Sequence, residues 1–341
     1  MMWKTIIIVL LLPAQMAWGG SFDKVGTTAA QFLKLSVGAR ADGMGGAFVG
    51  IADDPTAVYW NPAGLTQGTG VRTMFNHQQW FLDVAHDFVA LQMPLSRSVY
   101  GGLAISALTM NEQDVTTVAN PDGTGLTYSV MDIAVTGSLA RRMSDRLSYG
   151  ISVKYIQSAA YNEKASTFAL DIGSRLKTGF SGLVIGMALS NFGGELRYEG
   201  VDLIAKSDID NQFAGNVESD VDLRTESWPL PLMIRIGLAL DLIGPGDAVL
   251  ASETQRIRIA VDAEHPNDSR EHVNLGVEYG IWNRFYLRAG YRLNYDIDSM
   301  TLGAGLAVSL PAFGDVDVQY SVHPMGPFGT TSQLALMLNF R

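Results

Sequence analysis

Residues 301–310 alternate with a period of two. Leu302, Ala304, Leu306, Val308 and Leu310 lie on one face, and Thr301, Gly303, Gly305, Ala307 and Ser309 on the other. The same pattern runs through Phe285, Leu287, Ala289, Tyr291, Leu293 and Tyr295, through Leu147 to Tyr155, and through Val273 to Ile281. A β-sandwich also alternates, but its polar face meets bulk water and is rich in Lys, Glu and Thr. Here that face is mostly Gly, Ala and Ser with isolated charges of both signs. Small residues with scattered charges suit a crowded, wet lumen, while Leu, Val, Tyr and Phe suit lipid. The reading is all-β: a closed transmembrane antiparallel β-barrel rather than a sandwich.

Composition agrees. Only 17% of residues are charged, 36 are Gly, and mean hydropathy is +0.13. Past the N-terminus no run is apolar enough for a membrane helix, so lipid is met by sheet. A net charge of −10 argues against a nucleic-acid partner. With no Cys, no disulfide framework is expected. Lys4, the apolar run Ile6 to Leu12 and the small residues of Ala17-Trp18-Gly19 read as a cleaved signal peptide over 1–19. The remaining chain divides into an N-terminal plug or hatch segment, 20–69, and the barrel, 70–341. The expected location is the outer membrane of a Gram-negative bacterium, in contact with its lipids.

About fourteen strands are expected, beginning near 70, 84, 98, 126, 145, 164, 180, 230, 254, 271, 283, 298, 313 and 331. Short periplasmic turns fall at Ser96-Arg97, Met143-Ser144, 177–179, Trp282-Asn283 and Pro311-Ala312. Longer connections fall at 111–125, 191–227 and 321–330. The connection 243–253 breaks this alternation, being long where a short turn is expected. The final alternation, Leu334, Leu336, Leu338 and Phe340, resembles the signal read by barrel-assembly machinery, although Arg341 follows the aromatic.

Residues 20–69 do not alternate. Ala29 to Leu35 can form a short helix, and 37–50 is Gly-rich and irregular. Asp54 followed by Pro55, and Asn61 followed by Pro62, each read as a cap before an opening proline. Two such caps predict order. The stretch Val37-Gly38-Ala39-Arg40-Ala41-Asp42-Gly43-Met44-Gly45-Gly46-Ala47, then Ala52-Asp53-Asp54 and Tyr59-Trp60-Asn61-Pro62-Ala63-Gly64-Leu65, resembles the N-terminal signature of the PorV/PorQ family. That family is related to the FadL-type long-chain fatty acid transporters, which carry a similar Asn-Pro-Ala motif in a hatch. The resemblance covers residues 36–65. It implies a plugged fourteen-stranded barrel acting in type IX secretion, with secretion components and cargo sorting domains as partners. The alternative it implies is uptake of a hydrophobic small molecule, and a purely structural barrel comes third. By the same resemblance, Gly101 and Gly102 could kink the third strand and open a lateral exit. Read without it, they are ordinary barrel glycines.

No enzymatic constellation stands out, and no metal or cofactor is expected. The five His are dispersed and form no His-Glu-x-x-His spacing, and no phosphate loop is present. Arg235, Asp241, Arg258, Asp262, Glu278, Arg288 and Arg292 fall on inward faces of the expected eighth to eleventh strands. They can line a solute path or, the favoured reading, form a salt-bridged network fixing a plug. The 191–227 loop is acidic (Glu195, Glu199, Asp202, Asp208, Asp210, Glu218, Asp220 and Asp222). It reads as a solvated surface loop rather than a calcium or cargo site.

Overall fold

A computed structural model of the chain describes residues 24–207, 219–297, 299–310 and 314–340. The expected signal peptide, part of the acidic loop (Asp208, Asp210 and Glu218), the turn at 311–313 and Arg341 lie outside these residues.

Fourteen long antiparallel strands form the wall. They are β1 Val71–Gln79, β2 Val84–Pro94, β3 Val99–Met110, β4 Val130–Arg142, β5 Leu147–Ala160, β6 Glu163–Lys177 and β7 Val184–Gly193. The second half is β8 Met233–Gly244, β9 Gln255–Pro266, β10 His272–Ile281, β11 Phe285–Leu293, β12 Met300–Leu310, β13 Gly314–Pro324 and β14 Thr330–Phe340. Each pairs with its sequence neighbours, and β1 pairs with β14 from Val71↔Phe340 to Gln79↔Ser332. Closure leaves no sheet edge to face lipid. All fourteen expected starts fall within four residues of the observed ones.

The alternation resolves as expected. Phe75, Val89, Leu103, Tyr149, Ile151, Leu287, Leu302 and Leu336 point outward and are exposed, while Thr301, Ser321, Gln333 and Glu278 point inward and are buried. Two connections differ from expectation. The long loop expected at 321–330 is only 325–329, because β13 continues to Pro324 and β14 begins at Thr330. Ser321 and His323 face inward and are held there against Asp42. The long connection at 243–253 is real. Strand β8 overhangs the start of β7, whose pairing ends at Ala239↔Val184, and Leu250–Ala251 folds back to pair in parallel with Ile243–Gly244. That return covers an otherwise unpaired edge.

Residues 31–67 occupy the lumen as short turns. A 3-10 turn, Gln31–Lys34, stands where a helix is expected. It is followed by α1 Ala39–Gly43, α2 Ala57–Trp60 and a second 3-10 turn, Pro62–Gln67. Their main apolar cluster, with Phe48, Met44, Trp60, Val58 and Leu65, packs against Ala90, Ala104, Ala140, Ala188, Ala239 and Ala260 of the inner wall. Small inward residues are what admit a folded segment into a barrel of this size. Backbone can approach backbone only where no larger side chain intervenes.

Candidate functional site in the barrel lumen

Glycines set the depth at which the lumenal segment sits. Gly45 and Gly46 take left-handed backbone, φ +69° and +82°, which a side chain would strain. They lie against β10 and β11, where a Cβ on Gly276 would come within 2.6 Å of the Met44 carbonyl, and one on Gly290 would collide with Met44 and Gly45. Gly43 meets Gly303 of β12, Gly38 faces Thr56, and Gly64 lies against Ala52.

Both expected caps form, in modified shape. The Asp54 carboxylate accepts from the Thr56 N–H at 2.9 Å, so Asp54 and Pro55 make a capping turn, and α2 itself begins later, at Ala57. Asn61 accepts from the Ala63 N–H at 3.1 Å, and Pro62 opens a 3-10 rather than an α turn. The Asn61 amide also donates to the Val49 and Ser174 carbonyls, both at 3.0 Å, tying the segment to β6.

The inward charges meet this segment directly. Glu278 accepts from Arg40 and from Arg288, each at 2.8 Å. Asp53 receives Arg40 at 2.5 Å and Arg258 at 2.8 Å, and Arg258 also pairs with Asp241 at 2.7 Å. Burial works against ionisation of Asp53, but Arg40 and Arg258 outweigh it and hold its carboxyl well below the usual range. Burial instead pushes the Asp54 carboxyl up. Arg292 pairs with Asp42 at 3.1 Å. Asp262 accepts two backbone N–H groups, from Phe48 and Val49, both at 2.7 Å. Arg235 pairs with Glu264 and lies over the Tyr59 and Trp60 rings. All seven lumenal charges singled out in the sequence thus touch the segment or its ion-pair partners.

Gly101 and Gly102 do not break the wall. The ladder passes through both without a register shift, as Met93↔Gly101 and Gln92↔Gly102 on one side and Gly101↔Leu139 and Gly102↔Ser138 on the other. The space beside Gly102 holds Val58 and Leu65, so the glycine serves a close approach rather than a kink. Register shifts occur at Asp171 in β6 and Leu242 in β8.

The two ends of the lumen differ in chemistry. At the end carrying the long connections, Phe32 and Leu33 sit among Ile156, Leu196 and Leu230, with Leu108 and Tyr198 alongside. Asp268, in the β9–β10 loop, accepts from Thr28 at 2.6 Å, Gln31 at 2.8 Å and Lys34 at 2.9 Å. At the end carrying the short turns lies a cavity of about 390 Å³, walled on one side by Arg40, Asp53 and Asp54. An uptake channel for hydrophobic solutes predicts an apolar pocket beside the segment and a gap in the wall. This cavity is rich in arginine, and the ladders between the fourteen wall strands are interrupted only by the two register shifts in β6 and β8. Sequence reasoning missed Asp268 and the cavity arginines Arg72, Arg175 and Arg256. The signal available for the arginines was their inward phase at strand ends. For Asp268, in a loop, there was none. Among the described residues no His, Cys, Asp and Glu group is placed to hold a metal, and in the acidic loop Glu199–Gly200 pairs with Lys164 and Glu163 of β6.

No protein-family model matches the sequence, and no curated protein matches it. Solved structures do match in fold. The Ralstonia pickettii toluene transporter TbuX aligns with TM-score 0.56 and 14% identity over 90% of this chain and 99% of its own. The Pseudomonas putida toluene transporter TodX gives 0.56 and 13% over 89% and 96%. A Pseudomonas aeruginosa FadL homologue gives 0.53 and 14% over 89% and 98%. The chain therefore shares the fold of FadL-type barrels.

Proposed function

We propose that this protein is an outer-membrane uptake channel for hydrophobic small molecules, with its N-terminal segment as the plug. The observation that carries this reading is the segment itself, seated in a closed barrel whose fold is shared nearly end to end with transporters described for toluene. The apolar cluster around Phe32 and Leu33 offers such a solute its first contact. The plug must shift before anything passes, since ion pairs and glycine contacts fill the middle of the lumen.

Uptake of labelled toluene into proteoliposomes tests this, with empty liposomes as baseline and a long-chain fatty acid as comparator. Toluene entry above baseline supports a hydrocarbon channel, and fatty acid entry alone shifts the solute class. Entry of neither defeats the proposal. The type IX secretion role that the PorV/PorQ resemblance implies draws on residues 36–65 alone. Unimpaired release of surface proteins from a strain lacking the gene would remove it.

A further inference from the structure

The cavity at the short-turn end has an unusual charge composition. Arg40, Arg72, Arg175, Arg256, Arg258 and Arg288 line it against Asp53, Asp54, Glu278 and Asp317, six positive groups to four negative. Asp241, behind the lining, brings the negative side to five. Three of these carboxylates are already shared between arginines: Asp53 by Arg40 and Arg258, Glu278 by Arg40 and Arg288, and Asp241 by Arg256 and Arg258.

Arg72 and Arg175 stand outside these shared sets, as do the carboxylates Asp54 and Asp317 on the same lining. Among the described residues Arg72 donates to neutral oxygens, the Asp53 carbonyl at 2.9 Å and the Thr69 hydroxyl at 3.3 Å, and its Nε is buried with no acceptor. Arg175 makes no ion pair among the described residues, and its Nε is likewise buried without an acceptor. So is Nη1 of Arg288. A guanidinium N–H without an acceptor is costly. These three nitrogens are shut off from the free space, but the guanidinium groups that carry them belong to residues lining one cavity in which positive groups outnumber negative ones, which favours an acceptor carrying negative charge. Gln67, Gln319 and Asn339 on the same lining add amide groups that can donate. Tyr286, Leu306 and Met337 supply an apolar side.

We propose that this chamber is a binding site for a small oxyanion-bearing molecule, held by Arg72, Arg175 and Arg288 through forked N–H donors. The shared chemistry is that of a carboxylate or phosphate group, both of which fit a guanidinium fork. The site lies on the far side of the plug from Phe32 and Leu33. It is independent of whether the barrel passes neutral hydrocarbons, and either proposal can fail without the other.

The test is calorimetric titration of the full protein in detergent with sodium benzoate and, separately, with inorganic phosphate. Saturable binding of at least one probe is expected, weakened by high salt because the contacts are ionic. The tighter probe assigns the ligand to organic carboxylates or to phosphate. The double variant Arg72→Gln/Arg175→Gln should bind about tenfold or more weakly. Arg175→Lys, which keeps the charge, should stay nearer the wild type, and Arg97→Gln, in an exposed turn, should not change binding. If the double variant fails to fold, the wild-type titration and its salt dependence still decide. Binding of neither probe to the wild type, binding that salt does not weaken, or equal binding by the folded double variant would overturn the assignment.

Discussion

The lumenal segment is held in two different ways along its length. From Gly38 to Thr66 it is fixed by backbone-to-backbone contact at glycines and by carboxylates that each serve two donors, such as Glu278 with Arg40 and Arg288. From Thr28 to Leu35 it is held by apolar contact around Phe32 and Leu33 and by one carboxylate, Asp268, gathering three donors. The deep part resists any small shift, because buried ion pairs such as Arg288–Glu278 lose their partners and regain no water. The outer turn can leave by breaking one polar cluster and exposing a few apolar side chains. The difference suggests a plug with a fixed body and a releasable tip.

The largest effect is expected from Glu278→Ala. It strands Arg288 in the lumen and leaves Arg40 with Asp53 alone at close range, and should cost about 3–5 kcal/mol of stability. Urea unfolding of the refolded barrel would measure this, and a loss below about 1 kcal/mol would mean the deep part is not held as described. Gly276→Val should follow at about 1–3 kcal/mol, since the added carbons meet the Met44 carbonyl. Its signature is protease cleavage within 38–66 while the barrel stays folded.

Asp268→Asn should change the outer turn and leave the rest alone. Hydrogen exchange at 29–35 should speed by about tenfold, from loss of one charge-assisted contact. Global unfolding should be unchanged. If exchange across 41–61 rose equally, the two halves would be one unit.

The smallest effect is a pH dependence of the same turn. Burial opposes ionisation of Asp268, but hydrogen bonds from Thr28, Gln31 and Lys34 outweigh it and depress the carboxyl. Its contribution is therefore complete above the ordinary aspartate value of about 3.9 and fades only as pH falls below that. Exchange at 29–35, corrected for its intrinsic rate, should be flat between neutral pH and about 5 and rise below about 4.

Much of the wall was legible because a half-buried strand repeats every two residues, and its small inward face distinguishes a barrel from a sandwich. Strand ends were less legible. Ser321 and His323 looked like loop residues because the inward face of β13 is polar there, and only Asp42, far away in sequence, explains them. The site was visible in parts. Inward phase found Arg258, Glu278 and Arg292, but their partners lie more than 200 residues away, beyond any local pattern. Gly102 was read as a possible kink because sequence cannot show that Val58 and Leu65 fill its space. The inward glycines Gly276 and Gly290 likewise stand where the wall must admit another backbone.

The releasable tip can be tested by locking it. The chain has no cysteine, so Thr28→Cys with Asp268→Cys adds a single pair where the two side chains already meet at 2.6 Å. Toluene uptake into proteoliposomes is then compared before and after reduction. Uptake suppressed in the oxidised protein and restored by reductant is the predicted result. Equal uptake in both states, with the disulfide confirmed, would contradict the account.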